Sequence, residues 1–165
     1  NMTIIVKNKQ TLLYKDFIFK CCIGKNGFTR NKIEGDWKTP SGLFKIENLY
    51  FREDRFKKPE TKIKCIRIKR NMGWCNDIRK EKIYNKLIKR KKNVRNEKLF
   101  RKDYKYNLLL PIKYNWHNPK VPKGSAIFIH ITKNYKPTAG CIGLSYKDLL
   151  ILIRLIDRKT KIKIC

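Results

Sequence analysis

The chain is a series of short apolar or alternating segments, each bounded by turn-forming residues, and it contains a single long helical pattern. Such segments, with Val, Ile, Phe and Tyr enriched, are typical of β-strands. We predict strands at 3–7, 11–14, 17–23, 43–51, 61–68, 108–112 and 126–131. The segments at 108–112 and 126–131 are the most apolar, which indicates central strands that are covered on both faces. The sequence therefore predicts a mostly β protein.

The helical pattern lies near the C-terminus. Ser145, followed three residues later by Asp148, has the spacing of a capping box, and a wide apolar face follows up to Ile156. The residues 161–164 are predicted to form a final edge strand. Two stretches, 71–103 and 113–123, show no sustained pattern and are interpreted as long loops, with one or two helical turns at 83–88.

The length of 165 residues corresponds to one domain, 1–165, with a sizeable hydrophobic core. No segment approaches the roughly 20 apolar residues of a membrane-spanning helix. The N-terminus lacks the pattern of a signal peptide. Because Asn1 precedes Met2, two interpretations stay open: Met2 is the native start, or an export signal has been removed.

The charge is strongly basic, with 42 Lys and Arg against 13 Asp and Glu and a formal net charge of +29. Three explanations are open. The abundance of Lys, Ile and Asn is typical of an AT-rich coding sequence. A positive field also attracts substrates that carry carboxylates, and it binds nucleic acid without sequence preference. The lysines are spread through every segment, which does not favour a dedicated nucleic-acid site.

The six cysteines include no Cys-x-x-Cys pair and no histidine at metal-binding spacing, so we expect neither a zinc site nor another metal or cofactor. Cys21 and Cys22 are adjacent, and on a strand they point to opposite faces. Most of the cysteines are interpreted as buried apolar residues. Cys75 is the exception, because it lies in a Gly-Trp-Cys-Asn-Asp element and is expected near the functional site.

One cysteine and one histidine have the setting of a catalytic pair. The chain has two histidines, and His130 ends the apolar segment 126–131. Cys141 follows eleven residues later, after Gly140 in a polar turn. A thiol that an imidazole can deprotonate is the minimum apparatus for attack on a carbonyl. The alternative is that Cys141 is an inert core residue and His130 a satisfied polar one. His117 is interpreted as a solvated loop residue.

Several motifs occur in the order found in YkuD-type L,D-transpeptidases, and the chain resembles the short, single-domain branch of that family. The motifs are Gly24-Lys25-Asn26-Gly27, Glu34-Gly35-Asp36-Trp37-Lys38-Thr39-Pro40-Ser41-Gly42-Leu43-Phe44, Gly73-Trp74-Cys75-Asn76-Asp77, Tyr84-Asn85, Tyr114-Asn115, Gly124-Ser125-Ala126-Ile127-Phe128-Ile129-His130 and Thr138-Ala139-Gly140-Cys141-Ile142-Gly143-Leu144. They run from Gly24 to Leu144, so the resemblance covers most of the chain.

This resemblance implies a compact YkuD-like β-sandwich or barrel with Cys141 as nucleophile and His130 as base. It implies that the Ile131 carbonyl orients the imidazole. From the turn at Gly140 we expect the amides of Ala139, Gly140 and Cys141 to converge on an oxyanion. The residues expected along the substrate groove are Trp74, Asp77, Tyr84, Asn85, Tyr114 and Asn115.

The implied reaction is acyl transfer on peptidoglycan stem tetrapeptides, with a thioester passed to an amine or to water, and carbapenems are expected to acylate Cys141. Such a function belongs to the bacterial cell envelope or periplasm. The sequence departs from the wider family at Gly143, where an arginine is usual, which affects substrate choice more than chemistry. The rival interpretation is a basic module that binds polyanions such as nucleic acid, with Cys141 inert. No pattern indicates an oligomeric state.

Overall fold

The computed structural model describes residues 3–165, which form fifteen β-strands and one α-helix. In chain order the elements are β1 Thr3–Lys7, β2 Thr11–Tyr14, β3 Phe17–Lys20, β4 Phe28–Thr29, β5 Thr39–Pro40, β6 Gly42–Lys45, β7 Leu49–Phe51, β8 Cys65–Arg67, β9 Met72–Cys75, β10 Leu87–Lys89, β11 Asn96–Lys98, β12 Leu108–Pro111, β13 Phe128–Ile131, β14 Ile142–Leu144, α1 Tyr146–Leu155 and β15 Lys161–Ile164. The mostly β prediction with one C-terminal helix is confirmed. No helix in this range is long and apolar enough to cross a membrane.

The first sheet has five strands in the order β3-β2-β1-β15-β6. Strands β1, β2 and β3 form an antiparallel meander, and their side chains alternate between the core and solvent. Strand β15 pairs parallel with β1 and antiparallel with β6. The prediction of a final strand is confirmed, but its placement at a sheet edge is wrong. The alternating Lys-Ile-Lys-Ile pattern shows that one face of this strand is buried. It does not show whether one or two strands pair with it, so the pattern cannot distinguish an edge strand from an inner one.

The second sheet has the order β14-β13-β12-β7-β8 and carries the candidate catalytic residues. The faces of the two five-stranded sheets meet in one hydrophobic core that includes Ile4 and Val6 from the first sheet and Leu110 and Ile129 from the second. Neither sheet is closed on itself. Of the two expected architectures, the structure is therefore a sandwich of stacked sheets and not a barrel. The strongly apolar β12 and β13 lie inside this sheet and are fully buried, as predicted.

Helix α1 begins at the predicted cap. The Ser145 hydroxyl accepts a hydrogen bond of 3.1 Å from the N–H of Asp148, which satisfies one of the free amides of the first turn. The helix buries Leu149, Leu152 and Ile153 against the main core. Because α1 follows β14 almost directly, it fixes the strand that follows the nucleophile loop.

A third sheet, β10-β9-β11, lies in the stretch predicted to be irregular. That prediction is wrong, as is the helical turn at 83–88, where Leu87–Lys89 is a strand. Strands of three residues such as Asn-Glu-Lys show no detectable alternation. Their pairing depends on contacts with Trp74 in the central strand β9, which packs in a second core cluster on the other face of the second sheet.

Candidate active site

Cys141 lies immediately before β14, beside the first residue of β13. Its Sγ accepts a hydrogen bond of 3.4 Å from the N–H of Phe128, and its thiol hydrogen is donated to the Ala126 carbonyl at 3.2 Å. The residue is half-buried and packs against the second core cluster. The thiol is therefore held by the backbone of the neighbouring strand, with part of the residue open to solvent.

His130 lies two residues further along β13, on the same face as Phe128, because alternate residues of a strand point to the same side. In the parallel pairing of β13 and β14, His130 is in register with Gly143, so Cys141 lies one diagonal step away. The thiol and the imidazole thus share the face of the second sheet that points away from the main core. The pairing of these two strands places both residues on this face.

The ring of His130 is held in one tautomer. Its Nδ1 lies 3.0 Å from the Ile131 carbonyl, which is the contact that the family resemblance implies. A carbonyl only accepts hydrogen bonds, so Nδ1 carries the hydrogen and Nε2 is left with its lone pair. This tautomer is the one that can accept a proton from a thiol.

The nucleophile loop is held on both sides of Gly140. The Thr39 hydroxyl donates a hydrogen bond of 2.8 Å to the Gly140 carbonyl. Thr39 reaches this position because β5 pairs with β4. Gly140 has φ +145°, and a side chain there would meet the Lys38 carbonyl at 2.8 Å, so glycine is required.

The amides of this loop differ in their availability. The Gly140 N–H donates to the Thr138 hydroxyl at 3.1 Å, and that hydroxyl donates in turn to the Cys141 carbonyl at 2.6 Å. Among residues 3–165, the N–H of Cys141 has no hydrogen-bond acceptor. Of the three amides expected at an oxyanion, Gly140 therefore has its hydrogen committed, whereas Cys141 has its hydrogen available.

Burial keeps both reactive groups neutral in the resting protein. Burial is the main cause that raises the pKa of the Cys141 thiol to about 12, opposed by the Phe128 N–H. Burial also lowers the pKa of His130 to about 4, against the opposing effect of the Ile131 carbonyl. The site at neutral pH is thus a protonated thiol beside a neutral imidazole.

Two polar side chains that sequence reasoning missed lie near this pair. The buried Tyr106 donates a hydrogen bond of 2.8 Å to Glu97, and its ring centroid lies 5.8 Å from that of His130. Glu97 contributes to the raised pKa of Cys141. Glu97 lies in the stretch 71–103 that was interpreted as a loop, and Tyr106 lies between that stretch and the predicted strand at 108–112. Nothing in the local pattern distinguishes either residue.

A second missed group is an ion pair beside the nucleophile loop. Lys32 is only 4% exposed, and its ammonium lies 2.5 Å from Asp36. A side chain at Gly124 would meet the Lys32 stem at 2.7 Å, so this lysine fills the space next to that glycine. Asp36 belongs to the Glu-Gly-Asp motif, which was the one available signal for this pair.

Four of the six residues predicted to bind substrate lie in the interior. Trp74, Asp77, Tyr84 and Asn85 are all less than 5% exposed. The Asn85 side chain accepts hydrogen bonds from the Trp74 indole at 2.9 Å and the Ala126 N–H at 3.0 Å, and it donates to the Tyr114 and Asn115 carbonyls at 3.0 and 2.7 Å. These residues join three loops next to the nucleophile, and a direct contact with substrate stays a prediction.

The other predicted groove residues are also fixed by hydrogen bonds within the protein. Asp77 is buried and accepts hydrogen bonds from Arg79 and the Arg95 N–H, which hold the pKa of its carboxyl well below the usual range. Tyr114 is half-buried. Asn115 is also half-buried, and its side chain closes the 115–124 loop through the Gly124 carbonyl at 2.9 Å.

Cys75 and His117 are the other cysteine and histidine that the sequence singled out. Cys75 has no exposed surface, so it does not line an open site as the sequence suggested. Its position in β9, between β10 and β11, explains its burial. His117 is exposed, as expected for a solvated loop residue.

The position where the wider family has an arginine is closed by packing. Gly143 forms an isolated bridge with Cys22, and both backbone hydrogen bonds of this bridge are present, at 2.9 and 3.0 Å. A side chain at Gly143 would meet the Cys22 sulfur at 2.6 Å and Thr132 at 3.1 Å. A thiol and a threonine therefore occupy the space into which a larger side chain would extend.

Comparison with known proteins gives a family match and a structural match. The family model for the YkuD L,D-transpeptidase catalytic domain matches residues 1–164. Among solved structures, the helical cell shape determining protein Pgp2 from Campylobacter jejuni is similar, with a TM-score of 0.55 and 17% sequence identity. The similarity covers 98% of this chain and 46% of that chain, so this chain spans about half the length of Pgp2. Comparison with curated protein sequences found no match. The match over residues 1–164 shows that this chain belongs to the YkuD family of L,D-transpeptidase catalytic domains.

Proposed function

We propose that this protein is a cysteine acyl transferase that remodels peptidoglycan. In this proposal Cys141 attacks the carbonyl of the diacid residue, usually diaminopimelate, in a stem tetrapeptide. D-Alanine leaves, and the resulting thioester passes to an amine, which makes a cross-link, or to water, which trims the stem. Family membership supports the general activity.

His130 moves the protons of both half-reactions. As the Sγ–C bond forms, Nε2 takes the thiol hydrogen and the carbonyl oxygen becomes an oxyanion. When the C–N bond breaks, the imidazolium returns this proton to the amine of the departing D-alanine. In the second half-reaction the incoming amine or water loses a proton to Nε2, and Cys141 recovers it as the thiol. We assign the Cys141 N–H as the hydrogen-bond donor to the oxyanion. Because this N–H is already in place before the reaction, stabilising the oxyanion requires no reorganisation of the loop.

The observation that carries this proposal is the tautomer of His130. A histidine bonded through Nδ1 to a carbonyl, with a pKa lowered to about 4 by burial, is neutral at physiological pH and has a free lone pair. It lies on the same sheet face as a thiol. In the resting protein the thiol hydrogen points to the Ala126 carbonyl, so in this proposal the S–H bond turns towards Nε2, and the proton is transferred as the Sγ–C bond forms.

The proposal also includes a substrate groove beside Cys141 and a location of the protein in the cell. The loops joined by Asn85, which carry Tyr114 and Asn115, form one side of the substrate groove, and Trp74, Tyr84 and Asp77 support it. Stem peptides carry free carboxylates, and the net charge of +29 raises their concentration at the protein surface. A peptidoglycan substrate implies work in the bacterial cell envelope.

The direct test is a covalent adduct. Intact-mass spectrometry after incubation with a carbapenem is expected to show one adduct on the wild-type protein and none on Cys141→Ala. Released D-alanine from disaccharide-tetrapeptide measures the natural reaction. His130→Ala is expected to lose both activities while melting curves show that it is still folded, and the matched control His117→Ala is expected to retain them. An adduct that persists in Cys141→Ala contradicts the assignment.

The high charge favours one second candidate, a polyanion-binding module with an inert Cys141. It predicts tight binding to duplex DNA whose affinity falls steeply with salt, and no release of D-alanine. Measuring both properties on one preparation separates the two functions. Turnover that disappears in Cys141→Ala excludes the module as the sole function.

A further inference from the structure

The outer face of the first five-stranded sheet carries a straight row of five side chains, four of them aliphatic and one a lysine. In the strand register Ile18 is paired with Leu13, Leu13 with Ile5, Ile5 with Lys163, and Lys163 with Leu43. We call these five residues the apolar row. Paired residues point to the same side of a sheet, and four strand spacings give the row a length of roughly 19 Å.

The row lies on the solvent side of the sheet. Ile18 is 77% exposed and Leu43 is 58% exposed, at the two edge strands, and Ile5 and Leu13 are half-buried between them. The opposite face of the same strands supplies the core residues Ile4, Val6, Leu12, Phe19 and Ile162. Single exposed aliphatic residues are common, but four of them in one row across a whole sheet, interrupted only by Lys163, make this face a candidate interaction surface.

Lysines border the row on both sides. Lys20, Thr11 and Lys7 form the adjacent row on one side. Thr3, Lys161 and Lys45 form the adjacent row on the other. The five strands contain no Asp or Glu. Within residues 3–165, none of the lysines on this face forms a salt bridge.

We propose that this face adsorbs to a lipid bilayer that contains anionic headgroups. The lysines at the borders match the charge of the headgroups, and each contributes to adsorption. The aliphatic side chains enter the boundary between headgroups and acyl chains, while Lys163 extends its ammonium back to the surface. Nucleic acid matches the lysines equally well, but it has no apolar layer to receive Ile18 and Leu43.

The layer order of the fold makes this mode of binding compatible with an active site. The row lies outside the first sheet, whereas Cys141 packs on the far face of the second sheet, beyond the main core. Adsorption through the row therefore leaves the nucleophile on the side directed away from the membrane. Because membrane binding is assigned to a different surface from the active site, it can be tested independently of the acyl-transfer reaction.

The test is co-sedimentation of the 165-residue chain with two kinds of vesicle, phosphatidylcholine alone and phosphatidylcholine mixed with phosphatidylglycerol. We expect binding to the anionic vesicles only. The pair of substitutions Ile18→Ser and Leu43→Ser is expected to weaken it by roughly fivefold or more, with no change in charge. The variant with Lys7, Lys20, Lys45 and Lys161 all changed to Gln is expected to weaken it by roughly tenfold or more.

A matched control separates this face from the general basicity of the protein. Changing four exposed lysines on the third sheet and its loops, Lys82, Lys89, Lys91 and Lys92, to Gln removes the same charge elsewhere. We expect this control to retain most of the binding, with melting curves showing that every variant is folded. The proposal is overturned if the two lysine variants lose binding equally. It is also overturned if the serine pair binds like the wild type, since adsorption is then electrostatic alone.

Discussion

The hydroxyl of Thr39 donates a hydrogen bond of 2.8 Å to the carbonyl of Gly140, across 101 residues of sequence. The same oxygen accepts the Gly24 N–H at 2.8 Å. Thr39 has no exposed surface, so water does not replace either partner. This side chain therefore connects the two glycine-containing loops on either side of it, and one of them carries the nucleophile.

Replacing Thr39 by Val is expected to lower both stability and acylation. Valine keeps the shape and leaves the Gly24 N–H and the Gly140 carbonyl unsatisfied, at a cost of about 2 kcal/mol in the free energy of unfolding. Chemical denaturation and the rate of carbapenem acylation measure the two effects. Thr39→Ser keeps the hydroxyl and is expected to retain most of the acylation rate. Equal rates for Val and Ser would show that the hydrogen bond does not position the loop.

Gly143 and Cys22 are expected to be energetically coupled. In Gly143→Ala the new Cβ overlaps the Cys22 sulfur, and we expect destabilisation of about 1–3 kcal/mol. Removing that sulfur by Cys22→Ala is expected to reduce this cost, although the contact with Thr132 remains. A double-mutant cycle from urea denaturation gives the coupling free energy. Strict additivity of the two substitutions contradicts the predicted overlap.

The buried imidazole makes stability depend on pH. Because folding lowers the pKa of His130 from 6.5 to about 4, the unfolded chain binds a proton that the folded protein excludes between these values. The free energy of unfolding therefore has its full value, as far as His130 is concerned, above pH 6.5. It falls by up to about 3 kcal/mol as the pH is lowered towards 4. The free energy of unfolding measured at pH 7 and at pH 4.5 checks this. His130→Asn is expected to flatten the change, and His117→Asn to leave it as in the wild type.

The carboxylate of Glu97 is expected to suppress the reactivity of Cys141. Burial is the larger cause of the raised thiol pKa, and the negative charge of Glu97 adds to it. In Glu97→Gln the side-chain oxygen still accepts the hydrogen bond of Tyr106 while the charge is gone, so the pKa of Cys141 is expected to fall. Iodoacetamide labelling across a pH series, mapped by peptide mass spectrometry, follows Cys141, with the exposed Cys165 as internal reference.

The control for this experiment is Glu53→Gln, which removes a carboxylate paired with Arg67 at the edge of the second sheet. It is expected to leave the labelling profile of Cys141 unchanged. A profile that shifts equally in both variants would assign the effect to net charge, whereas no shift in Glu97→Gln would show that this carboxylate does not act on the thiol.

Local signals in the sequence were sufficient for several elements. The strands β1, β2 and β15 have the predicted bounds, and α1 begins at the Ser145 cap, because alternation and capping depend on neighbours in the chain. The apolar runs of β12 and β13 predicted their central positions correctly. The candidate pair Cys141 and His130 could likewise be chosen from residue type, turn context and family resemblance.

Tertiary structure decided everything that depends on partners distant in sequence. Strand β15 lies inside its sheet because β1 and β6 both pair with it, which its own four residues cannot specify. Glu97 and Tyr106 lie near the thiol only because the second sheet and the β9–β11 sheet pack against each other. The shared face of Cys141 and His130 follows from one parallel register, and a shift of that register by one residue moves a side chain to the other face. The sequence therefore determined which groups are available for chemistry, and long-range strand pairing decided which of them meet.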